Sequence, residues 1–483
     1  MKLGDILKGI EILECRADTE LEISGICHDS RLIRPGELFV AVSGFSVDGH
    51  RYIGKAVCGG AAAVLCEKAP EQNIPYVRVR NARQALAAAG ANWYSHPADK
   101  MTMIGVTGTN GKTTITYLLK TVLEKACGAK VGLIGTIQNM IADEVLPTER
   151  TTPESLELQA LLARMYQEGC THVLMEVSSH ALVLHRADEI RFQVGVYTNL
   201  SEDHLDFHKD MEEYCEAKAM LFSRCENSVL NMDDGRCARM ERAAAGRILR
   251  YSAKNEQAEL FAANVRLHSD RIEMDAKTQA QSAAVRLGIP GVFSVYNALG
   301  ALGAALALGV SLPDAARALS QARGVKGRVE VVPTPGKAYT VLIDYSHTPD
   351  SLENVLKMVR GFCRGRVIAV FGCGGDRDRL KRPIMGKIAS ELADLSVVTS
   401  DNPRTEKPED ILTDITAGMQ EAKNAYTVIE NRRQAIGWAM EHAEKDDVIV
   451  LCGKGHETYQ EINHVKYPMD EREIVAEYLE KKP

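Results

Sequence analysis

Nowhere does this chain run to the ~20 consecutive apolar residues that a membrane-spanning helix requires. Its opening, Met1-Lys2-Leu3-Gly4-Asp5, begins an ordinary amphipathic segment rather than a secretion signal. Neither membrane insertion nor export is expected, and the cytoplasm is the expected compartment. None of the 12 cysteines is spaced as C-x-x-C, and a chain of 483 residues needs no covalent staples. Most of these thiols are expected to be reduced and buried, as the Ala-rich surroundings of Cys58 and Cys66 suggest. No long Lys/Arg block occurs, and the formal net charge of −7 offers nothing like a nucleic-acid-binding surface, so the substrate is expected to be small. A dinucleotide fingerprint is missing too. Gly372-Cys373-Gly374-Gly375 fails the G-x-G-x-x-G spacing and no acid is placed for a ribose, which argues against NAD.

What is present fits an ordinary soluble globular protein, with 45% hydrophobic and 25% charged residues. The length implies about three domains. The chain is organised around Met101-Thr102-Met103-Ile104-Gly105-Val106-Thr107-Gly108-Thr109-Asn110-Gly111-Lys112-Thr113-Thr114. An apolar run reads as a buried strand, glycines supply a tight turn, and Lys112-Thr113-Thr114 opens a segment with helical spacing to Cys127. Such a strand–loop–helix unit holds polyphosphate: loop N–H groups point inward, the helix start adds positive potential, Lys112 neutralises charge and the Thr113 hydroxyl is suited to Mg²⁺. ATP is the expected ligand. The loop departs from the strict G-x-x-x-x-G-K-[ST] form, because Val106 stands five before Gly111 and Gly108 sits closer. A turn needing glycine only for its backbone angles would have no use for the Lys-Thr-Thr that follows.

Taken in order, the chain divides at about 98 and 330, giving an α/β protein of three domains: 1–98, a small N-terminal α/β domain; 99–330, a central P-loop ATPase-like, mostly parallel sheet; and 331–483, a Rossmann-like α/β domain. In the first, His28-Asp29-Ser30-Arg31, Pro35 to Ala41, and Gly44-Phe45-Ser46-Val47-Asp48-Gly49-His50 cluster polar groups at strand ends. They suit a polar ligand, or equally the turn chemistry of any small domain. Ala85 to Tyr94 reads as a helix broken by His96-Pro97.

In the central block, Lys130–Gly135, Thr171–Val177 and Phe192–Thr198 read as strands with helices between, and ligands on such sheets bind beyond the carboxyl ends of the strands. Thr151-Thr152-Pro153, Glu176-Val177-Ser178-Ser179-His180 and Thr198 to Asp206 all fall there. A lone polar residue at the end of an apolar strand is usually a satisfied hydrogen-bonding partner. Glu176 and His204, at neighbouring strand ends beside a phosphate loop, point instead to one or two divalent cations held against the phosphates. His208 reads as surface, or as lying behind the direct contacts. Lys218, within the helix Tyr214 to Phe222, reads locally as a solvent lysine. Leu260–Asp275 alternates like a hairpin, and Tyr296-Asn297 opens a helix to Leu308, where Asn297 either caps or reaches a base.

In the last block, strands Thr340–Ile343 and Val367–Phe371 lead into polar segments at Asp344-Tyr345-Ser346-His347 and Gly372 to Asp378. Further strands end at Asp401-Asn402-Pro403-Arg404 and Gly453-Lys454-Gly455-His456-Glu457, giving a second doubly wound sheet with a polar rim.

Together these motifs resemble the Mur ligases, the ATP-dependent amide-forming enzymes of peptidoglycan synthesis, from His28–Arg31 to Gly453–Glu457. The phosphate loop is shared with folylpolyglutamate synthetases, whereas Asp401–Arg404 and Gly453–Glu457 are more specific. The nearest pattern is that of members adding meso-2,6-diaminopimelate to UDP-N-acetylmuramoyl-L-alanyl-D-glutamate through an acyl phosphate. By that resemblance Gly108, Thr109, Asn110, Gly111, Lys112, Thr113 and Thr114 bind ATP, Asn297 and Arg328 contact the nucleotide, and Asp344 and His347 belong to the segment that closes over it. The metal set is Thr113, Glu176, His204 and Lys218 as a carbamate; Lys112, Lys218, His204 and His347 are the catalytic candidates, with ATP and Mg²⁺ as cofactors. Ser30, Thr151, Thr152, Ser178 and Arg186 match contacts to the UDP-muramoyl dipeptide. Leu184 stands where relatives often have glutamine.

The same resemblance gives Arg377, Asp401, Asn402, Pro403, Arg404, Gly453 and Glu457 to the incoming amino acid. Diaminopimelate differs from lysine by a far-end carboxylate, whose burial calls for a guanidinium fork. Arg377 and Arg404 supply it, while Gly453 and Glu457 meet the ammonium. The expected partners are these small molecules alone, and a monomer is expected. The rivals are an L-lysine-adding counterpart, a folylpolyglutamate-type ligase, and a nucleotide-binding regulatory module, which would leave Arg377, Arg404 and Glu457 with no task.

Overall fold

The computed structural model describes residues 1–483 except 45, 46, 149, 206, 323, 422, 482 and 483. Phe45, Ser46 and Asp206 therefore lie outside the described residues. Two compact units form, Met1–Phe261 with Leu299–Ala315, and Ala262–Ala298 with Ala316–Pro483.

The first unit opens with strands β1 (Ile12–Cys15), β2 (Ile26–Cys27), β3 (Leu38–Val40), β4 (Ala63–Cys66) and β5 (Tyr76–Val79), in a five-stranded sheet of order β1-β5-β4-β3-β2. The helix Ala82–Trp93 covers it, starting earlier than its apolar spacing suggests because the Asn81 side chain accepts from the N–H groups of Arg83 and Gln84.

Next come β6 (Thr102–Thr107), β7 (Val131–Ile134), β8 (Asn139–Ile141), β9 (Glu144–Leu146), β10 (His172–Glu176), β11 (Phe192–Tyr197), β12 (Cys225–Asn231) and β13 (Arg247–Ser252), in the order β13-β12-β11-β6-β10-β7-β8-β9. The pairs β7–β10, β10–β6, β6–β11, β11–β12 and β12–β13 are parallel. The central strands β6, β7 and β10 are near-continuous runs of Val, Ile, Leu and Met because both faces are covered, so their polar groups emerge at the ends. The start of β14 (Leu260–Leu267) pairs with β13.

In the second unit the rest of β14 neighbours β15 (Ile272–Lys277), which pairs antiparallel with β16 (Ser282–Leu287), a strand the hairpin reading missed. The helix Val292–Ala307 begins before Tyr296, so Asn297 lies inside it and does not cap it. The C-terminal sheet contains β17 (Glu330–Val332), β18 (Thr340–Asp344), β19 (Val367–Phe371), β20 (Leu395–Val398), β21 (Ala425–Val428) and β22 (Val448–Cys452), in the order β17-β18-β22-β19-β20-β21. All its pairs except β17–β18 are parallel. A separate two-stranded hairpin, β23 (Tyr459–Ile462) and β24 (Val465–Pro468), follows.

Cys66 is buried as expected, but Cys58 is exposed, and no cysteine forms a disulfide. Among the described residues, no helix is long and apolar enough to cross a membrane.

Candidate active site

The phosphate loop leaves the carboxyl end of β6 and enters the helix Lys112–Cys127. Gly108 has φ +142, and a Cβ there would stand 1.8 Å from Thr198 Oγ1, so only glycine fits. The loop is held from the next strand end: the Thr109 N–H donates to Asn199 O at 2.9 Å and the Asn110 N–H to Asn199 Oδ1 at 3.1 Å.

Lys112 Nζ donates to Gly108 O at 3.0 Å and to Thr109 O at 2.8 Å, and Lys218 Nζ donates to the same Gly108 O at 2.9 Å. Lys218 is only 1% exposed, with its Nζ 4.4 Å from the Tyr214 ring centroid. The local expectation of a solvent lysine is thus overturned by packing. Burial, and then the neighbouring Lys112 charge, push its pKa well below the ordinary lysine value.

At the end of β10, Glu176 is 1% exposed and gathers the expected threonines. Its Oε2 accepts from Thr113 Oγ1 and from Thr136 Oγ1, each at 2.9 Å, and its Oε1 accepts from the Thr136 N–H at 3.0 Å. Thr136 Oγ1 lies 3.0 Å from Thr151 Oγ1. Thr152 Oγ1 donates to Glu176 O at 2.8 Å and accepts from the Ser178 N–H at 3.3 Å. The phosphate-loop Thr113 therefore meets Thr136 on this carboxylate, while the dipeptide candidates reach Glu176 indirectly, Thr151 through Thr136 and Thr152 through the main-chain oxygen.

His204 has φ +55, with its ring edge-on to His180 at 4.9 Å. His208 is not a surface residue: it is 1% exposed, with Nε2 2.9 Å from Ser179 Oγ. Among the described residues, no group of three or more His, Cys, Asp or Glu is placed to hold a metal. Of the expected metal set, the structure brings Thr113 and Glu176 together. Mg²⁺ favours oxygen donors and takes one or two carboxylates beside substrate phosphates, so this hydroxyl–carboxylate pair has the right chemistry for it.

Ser30, 9% exposed, lines a cavity of about 490 Å³ with His28, Tyr52, Arg83, Arg150 and Glu154. Arg186 Nη2 donates to Glu154 Oε1 at 2.7 Å and its Nη1 to Thr152 O at 3.2 Å, which joins this cavity to the threonine cluster. Arg83 and Arg150 also reach Glu154, at 3.5 and 3.2 Å. One carboxylate thus faces several guanidinium groups, leaving excess positive charge beside the cavity. Neither Arg150 nor Glu154 belongs to a motif singled out in the sequence, so this charge cluster becomes visible only in the fold.

In the second unit, Asn297 is 5% exposed and Asp344 is 6% exposed at the end of β18. Asp344 accepts from the N–H groups of Val329 at 2.9 Å and Ser346 at 3.0 Å; burial nonetheless pushes its pKa up. Arg328 lies 5.8 Å from the Tyr345 ring, and His347 packs edge-on against that ring at 4.7 Å.

A cavity of about 640 Å³ is lined by Arg377, Asp401, Asn402, Arg404, Gly453 and Glu457, with Tyr345 and His347. Pro403 does not line it but packs behind, where a Cβ on Gly375 would stand 1.9 Å from Pro403 O. Lys454, fully buried, donates from Nζ to Asn402 Oδ1 at 2.6 Å and to Glu457 Oε2 at 2.9 Å, and Asn402 Nδ2 donates to the same Oε2 at 2.9 Å. Burial raises the Glu457 pKa, but Lys454 and Asn402 outweigh it and hold the carboxylate below its ordinary value. Glu457 therefore stays anionic. The buried Asp401 Oδ2 has no hydrogen-bond partner among the described residues and faces Gly453, where a Cβ would stand 2.5 Å away. Positive guanidinium and negative carboxylate groups thus share one concave wall, as an amino-acid zwitterion requires.

The models of the Mur ligase family, catalytic domain, the Mur ligase middle domain and the Mur ligase, glutamate ligase domain match residues 22–98, 106–305 and 327–455. The chain is 47% identical over 482 residues to the UDP-N-acetylmuramoyl-L-alanyl-D-glutamate–2,6-diaminopimelate ligase of Caldanaerobacter subterraneus subsp. tengcongensis, covering 99% of both. The chain belongs to the Mur ligase family. The ligase of the same name from Clostridioides difficile is 42% identical, with 100% of both chains covered. A solved structure of a ligase with that name superposes with TM-score 0.78 at 32% identity, covering 100% of this chain and 99% of the other. The MurF ligase of Thermotoga maritima in complex with ADP shares the fold, with TM-score 0.60 at 18% identity over 96% of this chain and 98% of the other.

This Mur ligase ties together, behind the lining, the two loops that carry Arg377 and Arg404 into their shared cavity. Arg382, wholly buried, binds Glu406 at 2.8 and 3.0 Å, Asp414 at 2.9 Å and Gly374 O at 3.3 Å. Gly375 N–H donates to Asn402 O at 2.9 Å, and Thr405 Oγ1 donates to Asp376 Oδ1 at 2.7 Å. Hydrogen bonds from Arg382 hold the Glu406 pKa at about 2, below the reference value of 4.5. A depressed carboxylate stabilises the fold above its unfolded pKa and loses that contribution as pH falls toward the folded value. The stability difference between wild type and Glu406→Gln, read by urea unfolding, is therefore expected to narrow as pH drops from 4.5 to about 2. A constant difference would deny any role to its ionisation.

Proposed function

We propose that this Mur ligase joins meso-2,6-diaminopimelate to UDP-N-acetylmuramoyl-L-alanyl-D-glutamate at the expense of ATP, working as a cytoplasmic monomer. The observation that carries the reading is the amine cavity, which Arg377 and Arg404 line together with Glu457 and Asp401. A zwitterionic far end fits both signs of charge, whereas lysine would leave the guanidinium groups without an anion.

The remaining residues take roles that suit such a ligase. Gly108–Thr114 cradle the triphosphate, with Lys112 opposing its charge; Asn297, Arg328, Asp344 and His347 are assigned to the nucleotide. Ser30, Thr151, Thr152, Ser178 and Arg186 hold the muramoyl dipeptide. Thr113 and Glu176, joined by His204 and the Lys218 carbamate, would hold Mg²⁺, which when bound neutralises charge on the phosphates. The dipeptide carboxylate oxygen attacks the γ-phosphorus, the bond to the β-phosphate oxygen breaks, and ADP leaves. The diaminopimelate amine then attacks the acyl carbon, the tetrahedral intermediate expels phosphate with the electrons of the C–O bond, and the amine loses its proton to give the amide. Positioning and charge neutralisation carry both steps.

Incubation with ATP, Mg²⁺, the muramoyl dipeptide and diaminopimelate is expected to release phosphate and form tripeptide only when both substrates are present. Equal turnover with lysine would overturn the choice of amine. Phosphate release with glutamate and a folate, or independent of any amino acid, would overturn the ligase reading itself.

A further inference from the structure

We infer that the β23–β24 hairpin is the template that fixes the amine-selecting loop, and that Glu461 is a positioning residue for Arg404. The inference deepens, and rests on, the reading that Arg404 selects the amine.

The hairpin owes little to the core. Its strands form a two-stranded sheet of their own, joined to Arg404 by a single-residue bridge at Ile462, and Val465 and Tyr467 on β24 are half exposed. Its turn is well formed, with Asn463 and His464 at φ +48 and +62 between paired Ile462 and Val465, the twist that a two-residue hairpin favours. An isolated two-stranded hairpin is marginal in water, so what it grips matters to it. What it grips is Asp401–Arg404. Gln460 Nε2 donates to Asp401 O at 2.7 Å, and the Glu461 N–H donates to Asn402 Oδ1 at 2.9 Å. The Arg404 N–H donates to Glu461 O at 3.1 Å, and the Asn463 N–H donates to Arg404 O at 2.8 Å. Arg404 itself sits at φ +52, a left-handed conformation that a residue with a Cβ keeps only where its surroundings over-determine it. The hairpin supplies that determination from both sides of the Arg404 peptide.

The side chain is fixed by the same strand. Glu461 Oε2 lies 3.3 Å from Arg404 Nε, and Gly375 O takes a hydrogen from Nη1 at 2.7 Å. A guanidinium carries five N–H donors. One Nη1 hydrogen goes to Gly375 O and Nε faces the Glu461 carboxylate as an ion pair, which leaves both Nη2 hydrogens and the second Nη1 hydrogen for a substrate carboxylate. Glu461 does not line the amine cavity, so it acts through Arg404 rather than on the substrate. Holding the long side chain in its binding rotamer removes an ordering cost that diaminopimelate would otherwise meet.

Glu461→Gln keeps the size of the side chain and the main-chain hydrogen bonds while removing the charge. It is expected to raise KM for diaminopimelate about tenfold, with kcat and the KM values for ATP and dipeptide within about twofold. Any residual use of lysine should be unchanged, so the preference between the amines narrows. Glu461→Asp, which restores the charge at shorter reach, should recover part of the loss and guards against a glutamine variant that folds poorly. An unchanged diaminopimelate KM, or equal rises for all substrates, would overturn the inference. The parent reading is separable: a silent Arg404→Ala overturns that reading, whereas a strong Arg404→Ala effect beside a silent Glu461→Gln overturns only the role of Glu461.

Discussion

Arg404→Ala is expected to raise the diaminopimelate requirement by about 30- to 700-fold while leaving the ATP requirement within about threefold. The range is that of removing one member of a desolvated, hydrogen-bonded charge pair, about 2–4 kcal/mol, converted at 1.4 kcal/mol per decade. Arg404 falls in this range because its side chain is only 18% exposed and already held by Glu461 and Gly375. Lysine, which has no far carboxylate, should feel the change far less. Steady-state kinetics with each amine varied at saturating ATP and dipeptide gives the answer. A proportionate loss for ATP and diaminopimelate would mean that Arg404 maintains the loop and does not read the substrate.

Lys218→Ala is expected to lower turnover by about a hundred- to a thousandfold, the scale of losing a preorganised electrostatic contact. Its ammonium form would set a buried cation beside Lys112, both donating to Gly108 O, and burial opposes that charge further. Were the amine to lose its proton and add carbon dioxide, releasing a second proton, the carbamate would carry a negative charge, turning repulsion from Lys112 into attraction and giving the site an oxygen donor. Lys218→Arg should be as inactive as Lys218→Ala, because a guanidinium keeps its positive charge and forms no such adduct. Acetate should restore part of the activity of the alanine variant and none of the arginine variant, with ADP binding by calorimetry confirming intact folding. A fully active Lys218→Ala protein would remove the carbamate from the mechanism.

Much of the scaffold was legible because parallel strands covered on both faces are nearly uninterrupted apolar runs. The predicted Lys130–Gly135, Thr171–Val177 and Phe192–Thr198 each overshoot the observed strand by only a residue or so at one or both ends. The half-exposed edge strand Ala425–Val428 and the hairpin 459–468 were not legible, since their mixed polar sequences carry no burial signal. Motif positions at strand ends could be named, but their couplings could not. Lys218 and Lys454 look like any surface lysine until the fold closes over them. Glu154, Arg382 and Glu461 are likewise ordinary charged residues whose partners lie 24 to 57 positions away along the chain in the pairs Arg382–Glu406, Arg186–Glu154 and Arg404–Glu461. The early start of the helix holding Asn297 was missed because Val292 to Val295 reads as strand or helix alike.

The cross-ties behind the amine cavity also bear on how such an enzyme changes over time. Arg382 with Glu406, Asp376 with Thr405, and Gly375 with Asn402 bind two loops into one frame that the hairpin then braces. A lineage shifting to a different building block would have little to gain from altering Arg404 alone, since the frame would still present an empty cationic notch. Retargeting this ligase, by selection or at the bench, is more naturally achieved by exchanging the loops and hairpin together as a cassette.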